Sequence, residues 1–349
     1  MRALVLRAPG VAEIDDVPEP ELRAGEALLK VRRVGLCGSD LNTYRGRNPM
    51  VSYPRIPGHE IAATIVALSE KHSRLKPGMD VTLSPYTSCG RCAACRNARP
   101  NACRDNQTLG VQRDGALTEY ITVPVEKLYT AELNLQELCM VEPLTVGFHA
   151  VARGCVTERD TVAVIGCGGV GLGAVAAAAF RGARTIAVDI DDGKLVIARA
   201  AGAAETVHSR RKAMTEALAE LTDGAGPDVV IEAIGMPETF RAAVEVVAFT
   251  GRVVYIGYAK EPVSYETKLF VQKELDIRGT RNALPEDFAQ VIAMLEQKRF
   301  PVEQAVSLTV PLEEAPAALR AWSEEPGRFR KIMIDMDMRG VAHAPDRAA

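Results

Sequence analysis

Apolar and polar residues alternate through the first third of the chain, then give way to runs that are apolar throughout. From Met1 to about Val34 the alternation, broken at Pro18-Glu-Pro20 and Ala24-Gly-Glu26, is that of short antiparallel strands with one wet face. Residues 61–68 read as another strand, and Pro77-Gly78-Met79-Asp80 turns into a strand over 81–83. Residues 114–123 return to strand character. Together these predict a small β-rich barrel whose loops are free to carry chemistry. Residues 138–150 read as the start of a helix that Pro143 breaks, with Glu142 as an acid inside an apolar run. A buried carboxylate without a partner is costly, so Glu142 either faces water or has a cation to bind.

Beyond Thr161 the period changes. An apolar strand over 161–166 runs into Gly166-x-Gly168-x-x-Gly171, a small-residue helix follows over 172–180, and a strand over 185–188 ends in Asp189. A lone glycine motif is weak evidence, but here strand, turn, helix, strand and acid arrive in order. Such glycines permit a tight turn and close approach of a pyrophosphate to the positive end of a helix. Gly169 and Val170 complete the turn, and Lys194 joins the expected cofactor contacts. Asp189 stands where an acid holds the adenosine ribose diol and repels a 2′-phosphate, so NAD is expected over NADP. Strands over 228–233, 252–256 and 275–279, interleaved with helices over 213–222 and 239–249, extend this into a doubly wound parallel sheet. Residues 285–298 form an amphipathic helix with Phe288, Val291, Ile292 and Leu295 on one face. A last strand over 331–335 should return to the first domain, and the tail from Arg339 lacks apolar periodicity. The expected division is 1–145 with 300–349 for the β-rich domain and 146–299 for the nucleotide domain.

The loops of the first domain hold the chemistry. Gly35-Leu-Cys37-Gly-Ser39-Asp40 and Pro57-Gly58-His59-Glu60 supply a thiolate and an imidazole, a pair that suits zinc. Asp40 could hold the free ring nitrogen of His59, Ser39 could pass a proton, and Glu60 puts a carboxylate beside the histidine. An isolated loop cysteine and an unrelated surface histidine would be the plain alternative. A second metal signature weighs against it. Cys89-Gly-Arg-Cys92-Ala-Ala-Cys95 followed by Cys103 brings four thiolates into one short loop, enough to close a tetrahedron around a structural zinc. An iron–sulfur cluster takes the same four ligands, although the last spacing and the lack of a proline after Cys103 are unlike bacterial ferredoxins.

Composition narrows the class without deciding it. The 349 residues exceed one ordinary core, which favours two domains. A net charge of −3 gives no argument for nucleic acid or a membrane surface as partner, and no apolar run reaches the roughly 20 residues of a membrane span. The first residues meet Pro9-Gly10 too early for a signal peptide, so a cytoplasmic protein is expected. Eight cysteines, four of them crowded between Cys89 and Cys103, read as metal binding in a reducing compartment.

On these motifs, joined by Val141-Glu142-Pro143-Leu144, the chain resembles the zinc-dependent medium-chain dehydrogenase/reductase superfamily over almost its whole length. It fits the sorbitol (polyol) dehydrogenase branch best. Cys37 through Pro49 and Arg278-Gly-Thr-Arg-Asn-Ala283 look like a bacterial subgroup that includes L-galactonate and L-gulonate 5-dehydrogenases. The resemblance implies a GroES-like catalytic domain, a Rossmann domain, and two zinc ions per chain. The catalytic one would be held by Cys37, His59 and Glu142, with Glu60 entering and leaving as ligands exchange. The structural one would be held by Cys89, Cys92, Cys95 and Cys103. Glutamate at the third position separates this branch from liver-type alcohol dehydrogenases, which carry a cysteine there. Many relatives have a histidine where this chain has Asn42, so the last step of the proton relay from Ser39 is open.

The implied reaction oxidises a secondary alcohol of a polyol or sugar acid to a ketone, or runs in reverse, with hydride passing to NAD and the proton leaving through Ser39. A homodimer or homotetramer is the expected assembly. A threonine-type or simple alcohol dehydrogenase is the alternative within the superfamily; a non-enzymatic relative would have lost metal ligands that are all retained here. Other residues have plainer readings. His149 packs within its helix, His72, His208 and His343 are surface positions, and Cys139, Cys155 and Cys167 are small buried fillers. Tyr44, Arg45 and Arg47 either line the substrate cleft, where they could meet a carboxylate, or belong to a solvated loop.

Overall fold

A computed structural model describes residues 1–338 of the chain. The expectation for the tail from Arg339, and His343 with it, lies outside the described residues. By contact the chain divides into two compact units. One comprises Met1–Pro85, Gln107–Cys139 and the chain from Val306 onward; the other comprises Tyr86–Asn106 and Met140–Ala305.

The first unit is built on the strand Glu26–Leu36, whose alternating residues Ala27, Leu29 and Val31 are fully buried, with Val34 buried beyond a register shift after Val31. It pairs antiparallel with Glu60–Leu68, with Tyr120–Pro124 and with the C-terminal strand Ile332–Asp335. The sheet continues through Asp80–Leu83 to Leu128–Tyr129 on one side and through Leu308–Pro311 on the other. The last strand among the described residues therefore returns to the first unit, as its apolar pattern predicts. The hairpin Arg2–Ala8 with Val11–Asp16 puts Leu4 and Leu6 into the same core as Ile61, Leu117 and Ile334.

In the second unit six parallel strands run in the order Glu205–His208, Arg184–Asp189, Thr161–Ile165, Val229–Glu232, Arg252–Tyr255, Asp276–Gly279. The order reverses between Thr161–Ile165 and Val229–Glu232, the place where such sheets open a crevice for ligands. The helix Gly169–Phe180 is apolar all round, with residues 171–178 buried, as a helix covered on every side must be. On the helix Pro285–Glu296, Phe288, Val291 and Leu295 are buried as the pattern predicts, while Met294 takes the fourth buried place and Ile292 is half-buried. No helix among the described residues is long and apolar enough to cross a membrane.

The sequence reading misplaces or misses several elements. Pro143 does not break its helix, which runs unbroken over Leu135–Arg153. Proline removes one hydrogen bond there, but Leu138, Cys139, Val141 and Leu144 around it are fully buried, and that packing holds the helix through the defect. The helix Asp192–Ala200, the strand Glu205–His208 and the helix Ala315–Glu324 are not anticipated. Their charged residues blur the apolar period, and Asp191 caps the first by accepting from the Lys194 backbone N–H at 2.9 Å.

Candidate active site

Pairing of Glu26–Leu36 with Glu60–Leu68 brings the two metal-ligand motifs together, because Gly35 sits opposite Glu60 at the end of the ladder. Ligand atoms of Cys37, His59 and Glu60 lie within 4.8 Å of one another, with His59 and Glu60 buried and Cys37 half-buried. Gly35 is required by space: a Cβ there would collide with the Glu60 carboxylate. Cys37 caps the short helix Gly38–Tyr44, and Asp40 Oδ2 reaches back to accept from the Cys37 N–H at 2.8 Å. Oδ1 accepts from the Gly58 N–H at 3.3 Å and lies 3.9 Å from His59 Nδ1. One buried carboxylate thus ties both motifs. Burial pushes the Asp40 carboxyl up from its ordinary range, while His59 and the Cys37 N–H pull it back. The Ser39 hydroxyl is buried and unpartnered among the described residues, which leaves it open to a ligand.

Glu60 is not free in this arrangement. Both its oxygens accept from Lys331 Nζ, at 2.7 and 2.6 Å, and the pair is fully enclosed. Burial alone would favour the neutral amine of Lys331. The Glu60 carboxylate and then Cys37 outweigh it, so the pKa of Lys331 is raised. Sequence reasoning missed Lys331. The signal available was a lysine placed directly before an apolar closing strand.

Glu142 belongs to the second unit, where it is buried in its helix and accepts from the Tyr86 hydroxyl. Facing water is therefore excluded for it. Tyr86 is a partner that the sequence did not suggest. His149 packs as expected, but within a network: Nδ1 donates to Asp287 at 2.9 Å, and Nε2 accepts from Asn101 Nδ2 at 3.0 Å. Asn101 precedes Cys103, so the network ties the cysteine loop to the helix Pro285–Glu296.

The four cysteines of that loop form the second cluster, their sulfurs within 4.8 Å of one another. All are free thiols. Cys92 lies 3.5 Å from Cys95 and 3.8 Å from Cys103, sulfur to sulfur. A tetrahedron with arms of about 2.3 Å has edges of roughly 3.8 Å, so the spacing fits a zinc bound by four thiolates. Backbone N–H groups of Cys95 and Arg104 lower the Cys92 thiol to about 6, which makes it a thiolate at neutral pH. Burial and the neighbouring cysteines raise Cys95 to about 11.

The glycine turn is shaped for a pyrophosphate. Gly171 allows the helix to start against the Gly166 carbonyl, since a Cβ at Gly171 would strike that oxygen, while nothing lies within 4 Å of a Cβ placed at Gly168. Backbone can therefore meet a ligand at Gly168 unobstructed. Asp189 is buried at the end of its strand. Oδ2 accepts from the Cys167 N–H at 2.7 Å, and Oδ1 accepts from Ile190 at 2.7 Å and Asp191 at 3.1 Å. Three backbone donors fix the carboxylate as an acceptor for further hydroxyls. Cys167 and Cys139 are buried, and burial raises both thiols far above neutrality, so they are inert fillers as expected. Cys155 is a correction: it is exposed, in a left-handed turn at φ 51°, beside the Arg278 guanidinium at 2.9 Å. The short loop after its helix, not an apolar pocket, takes this cysteine.

The chain matches two family models, an alcohol dehydrogenase GroES-like domain over residues 23–132 and a zinc-binding dehydrogenase domain over residues 169–297. It is 32% identical to an L-galactonate-5-dehydrogenase of Escherichia coli K12, covering 82% of this chain and 84% of that one. A sorbitol dehydrogenase of Bacillus subtilis 168 is 35% identical over 80% of this chain and 81% of its own length. A short chain alcohol dehydrogenase of Escherichia coli CFT073, solved in complex with NADH, superposes with a TM-score of 0.88 at 29% identity, over 96% of this chain and 99% of that one. Sequence and fold agree: this chain belongs to the zinc-type alcohol dehydrogenase family and is an NAD-dependent oxidoreductase.

Proposed function

We propose that the enzyme interconverts a secondary alcohol of a polyol or sugar acid and the corresponding ketone, using NAD. The observation that carries this is the Cys37–His59–Glu60 cluster beside the unpartnered Ser39 hydroxyl. Cys37 and His59 would hold a catalytic zinc with Glu142 as the further proposed ligand, and Glu60, held by Lys331 here, would be available as an exchangeable donor. Zinc held there supplies Lewis acidity toward an alcohol oxygen, and NAD supplies the hydride acceptor. Asp40 orients His59 and the helix that carries Ser39. Ser39 takes the proton from the alcohol and hands it on toward solvent. Asp189 accepts the ribose hydroxyls and, through its negative charge, disfavours a 2′-phosphate. Gly166, Gly168, Gly169, Val170 and Gly171 cradle the pyrophosphate, with Lys194 on the ribose side. Cys89, Cys92, Cys95 and Cys103 hold the structural zinc.

Relatives that act on L-galactonate and sorbitol support a substrate with vicinal hydroxyls. Glu142 agrees with it, since a carboxylate is a harder ligand than thiolate and suits a metal that meets several oxygens. We assign 1–145 and 300–349 to the catalytic domain and 146–299 to the nucleotide domain. A homodimer or homotetramer is the proposed assembly, and Val271 and Phe249 are large apolar side chains left exposed in this chain. Eight free cysteines fit the reducing cytoplasm.

Purified enzyme with NAD, offered polyols, aldonates, threonine and primary alcohols, tests the substrate class by NADH absorbance. The highest kcat/KM is expected on a polyol or aldonate. Highest kcat/KM on threonine or a primary alcohol overturns the substrate class.

A further inference from the structure

The end of the helix that starts at Cys37 opens on a cavity that the proposed chemistry does not use. Its volume is about 690 Å³, and its lining includes Tyr44, Arg45, Arg47, Arg320, Ser323 and Glu324, all in the first unit. Three guanidiniums face one carboxylate, and among the described residues none of the three forms an ion pair. With one carboxylate among three guanidiniums the lining carries excess positive charge, and the planar donors match the oxygens of a phosphate or carboxylate.

The cluster is held in place rather than hanging from a loose loop. The Gly46 N–H bonds the Thr43 carbonyl at 2.9 Å and the Arg47 N–H bonds the Asn42 carbonyl at 2.8 Å, the two bonds that close a helix with a left-handed residue. Gly46 is that residue, at φ 68°, and a Cβ there would press on Pro9 at 2.8 Å. The Gly10 N–H bonds the Tyr44 carbonyl at 2.6 Å from the other side. Arg45 donates from Nε to Ser323 Oγ at 3.0 Å and from Nη2 to the Ser323 carbonyl. That leaves Nη1 and the whole of Arg47 and Arg320 for a ligand, and the Ser323 hydroxyl can donate as well.

We infer that this cavity binds a small-molecule oxyanion, a phosphate or a carboxylate, at a site separate from the metal clusters and the nucleotide turn. The seven-residue helix that ends in the cavity carries Cys37 and Asp40 at its other end, so occupancy clamps the element that positions both.

The test is calorimetric titration of the zinc-loaded enzyme, saturated with NADH to cover the pyrophosphate turn, with inorganic phosphate and separately with D-gluconate at constant ionic strength. Saturable binding of at least one anion is expected. Arg47→Gln and Arg320→Gln should each weaken it about tenfold or more, as loss of one charge-assisted contact does, while Lys71→Gln, exposed and outside the cavity lining, should not. Response to phosphate alone or gluconate alone, weakened in the arginine variants, supports the site and identifies its oxyanion. No saturable binding of either anion overturns it, and so does equal affinity in the arginine variants, whose exposed positions leave folding checkable by circular dichroism. The readout is binding, so it stands or falls independently of which alcohol the enzyme oxidises.

Discussion

The two metal-ligand clusters are made in opposite ways. Four sulfurs between Cys89 and Cys103 come from one short loop, are chemically alike, and have no carboxylate among them. Cys37, His59 and Glu60 come from the adjoining ends of two strands joined by sheet register, mix three donor types, and keep one donor engaged elsewhere, since Glu60 is bound to a lysine 271 residues away. A closed set of like ligands makes a staple; a mixed set with a movable member leaves a position for a substrate. The difference is one of chemistry as well as of spacing. Loss of the first should cost stability, and loss of the second should cost turnover.

The widest separation is expected from Cys37→Ala. Removing a metal ligand forfeits several kcal/mol of charge stabilisation, so turnover should fall by about a thousandfold or more, with little change in thermal unfolding. A fall in Tm with turnover preserved would reverse the roles given to the clusters. Next is Lys331→Met, which leaves Glu60 buried without its partner and should destabilise by about 3–5 kcal/mol in chemical denaturation. Adding Glu60→Gln should recover much of that, because no buried charge then remains. The raised pKa of Lys331 also sets a pH dependence. Its contribution is complete below the ordinary lysine value near 10.4 and is lost as pH rises through the higher folded value, so stability should decline at strongly alkaline pH in wild type and not in the double variant.

Smaller effects sharpen the same contrast. Glu142→Gln keeps size and the Tyr86 contact but removes charge. It should weaken the catalytic metal by more than the roughly hundredfold that loss of an outer hydrogen-bond partner costs, measured by competition with a chelator, and leave the four-cysteine metal in place. Unchanged affinity and near-normal turnover would remove Glu142 from the ligand set, and with it the main support for a polyol substrate. The mildest is Asp189→Ala. Two charge-assisted hydrogen bonds to the ribose are lost, so NAD should bind roughly tenfold to a hundredfold more weakly and the gap to NADP should narrow, by NADH and NADPH fluorescence titration. Wild type preferring NADP would contradict the role given to Asp189.

What the sequence made legible follows from how local each feature is. The cysteine loop and the glycine turn are written in consecutive residues, and the parallel sheet in runs such as Val162 to Ile165 and Val229 to Ile231, which are buried on both faces. Cys37 and His59 were legible as motifs, although only strand register brings them within reach of each other. Lys331, Tyr86 and the Asp287–His149–Asn101 network were not, because each depends on contacts between segments far apart in the chain, and a single lysine, tyrosine or asparagine carries no pattern. The helix through Pro143 failed for the same reason: local propensity argues for a break, and burial of the neighbouring residues overrides it.

Zinc content read together with turnover distinguishes two zinc sites with separate duties from any other arrangement. Wild type should carry two zinc ions per chain, and Cys37→Ala and Cys103→Ser one each. Cys37→Ala should be stable and inactive, whereas Cys103→Ser should unfold at lower temperature while its folded fraction still turns over. One zinc per chain in wild type that Cys103→Ser leaves in place, or activity in Cys37→Ala equal to wild type, would contradict it.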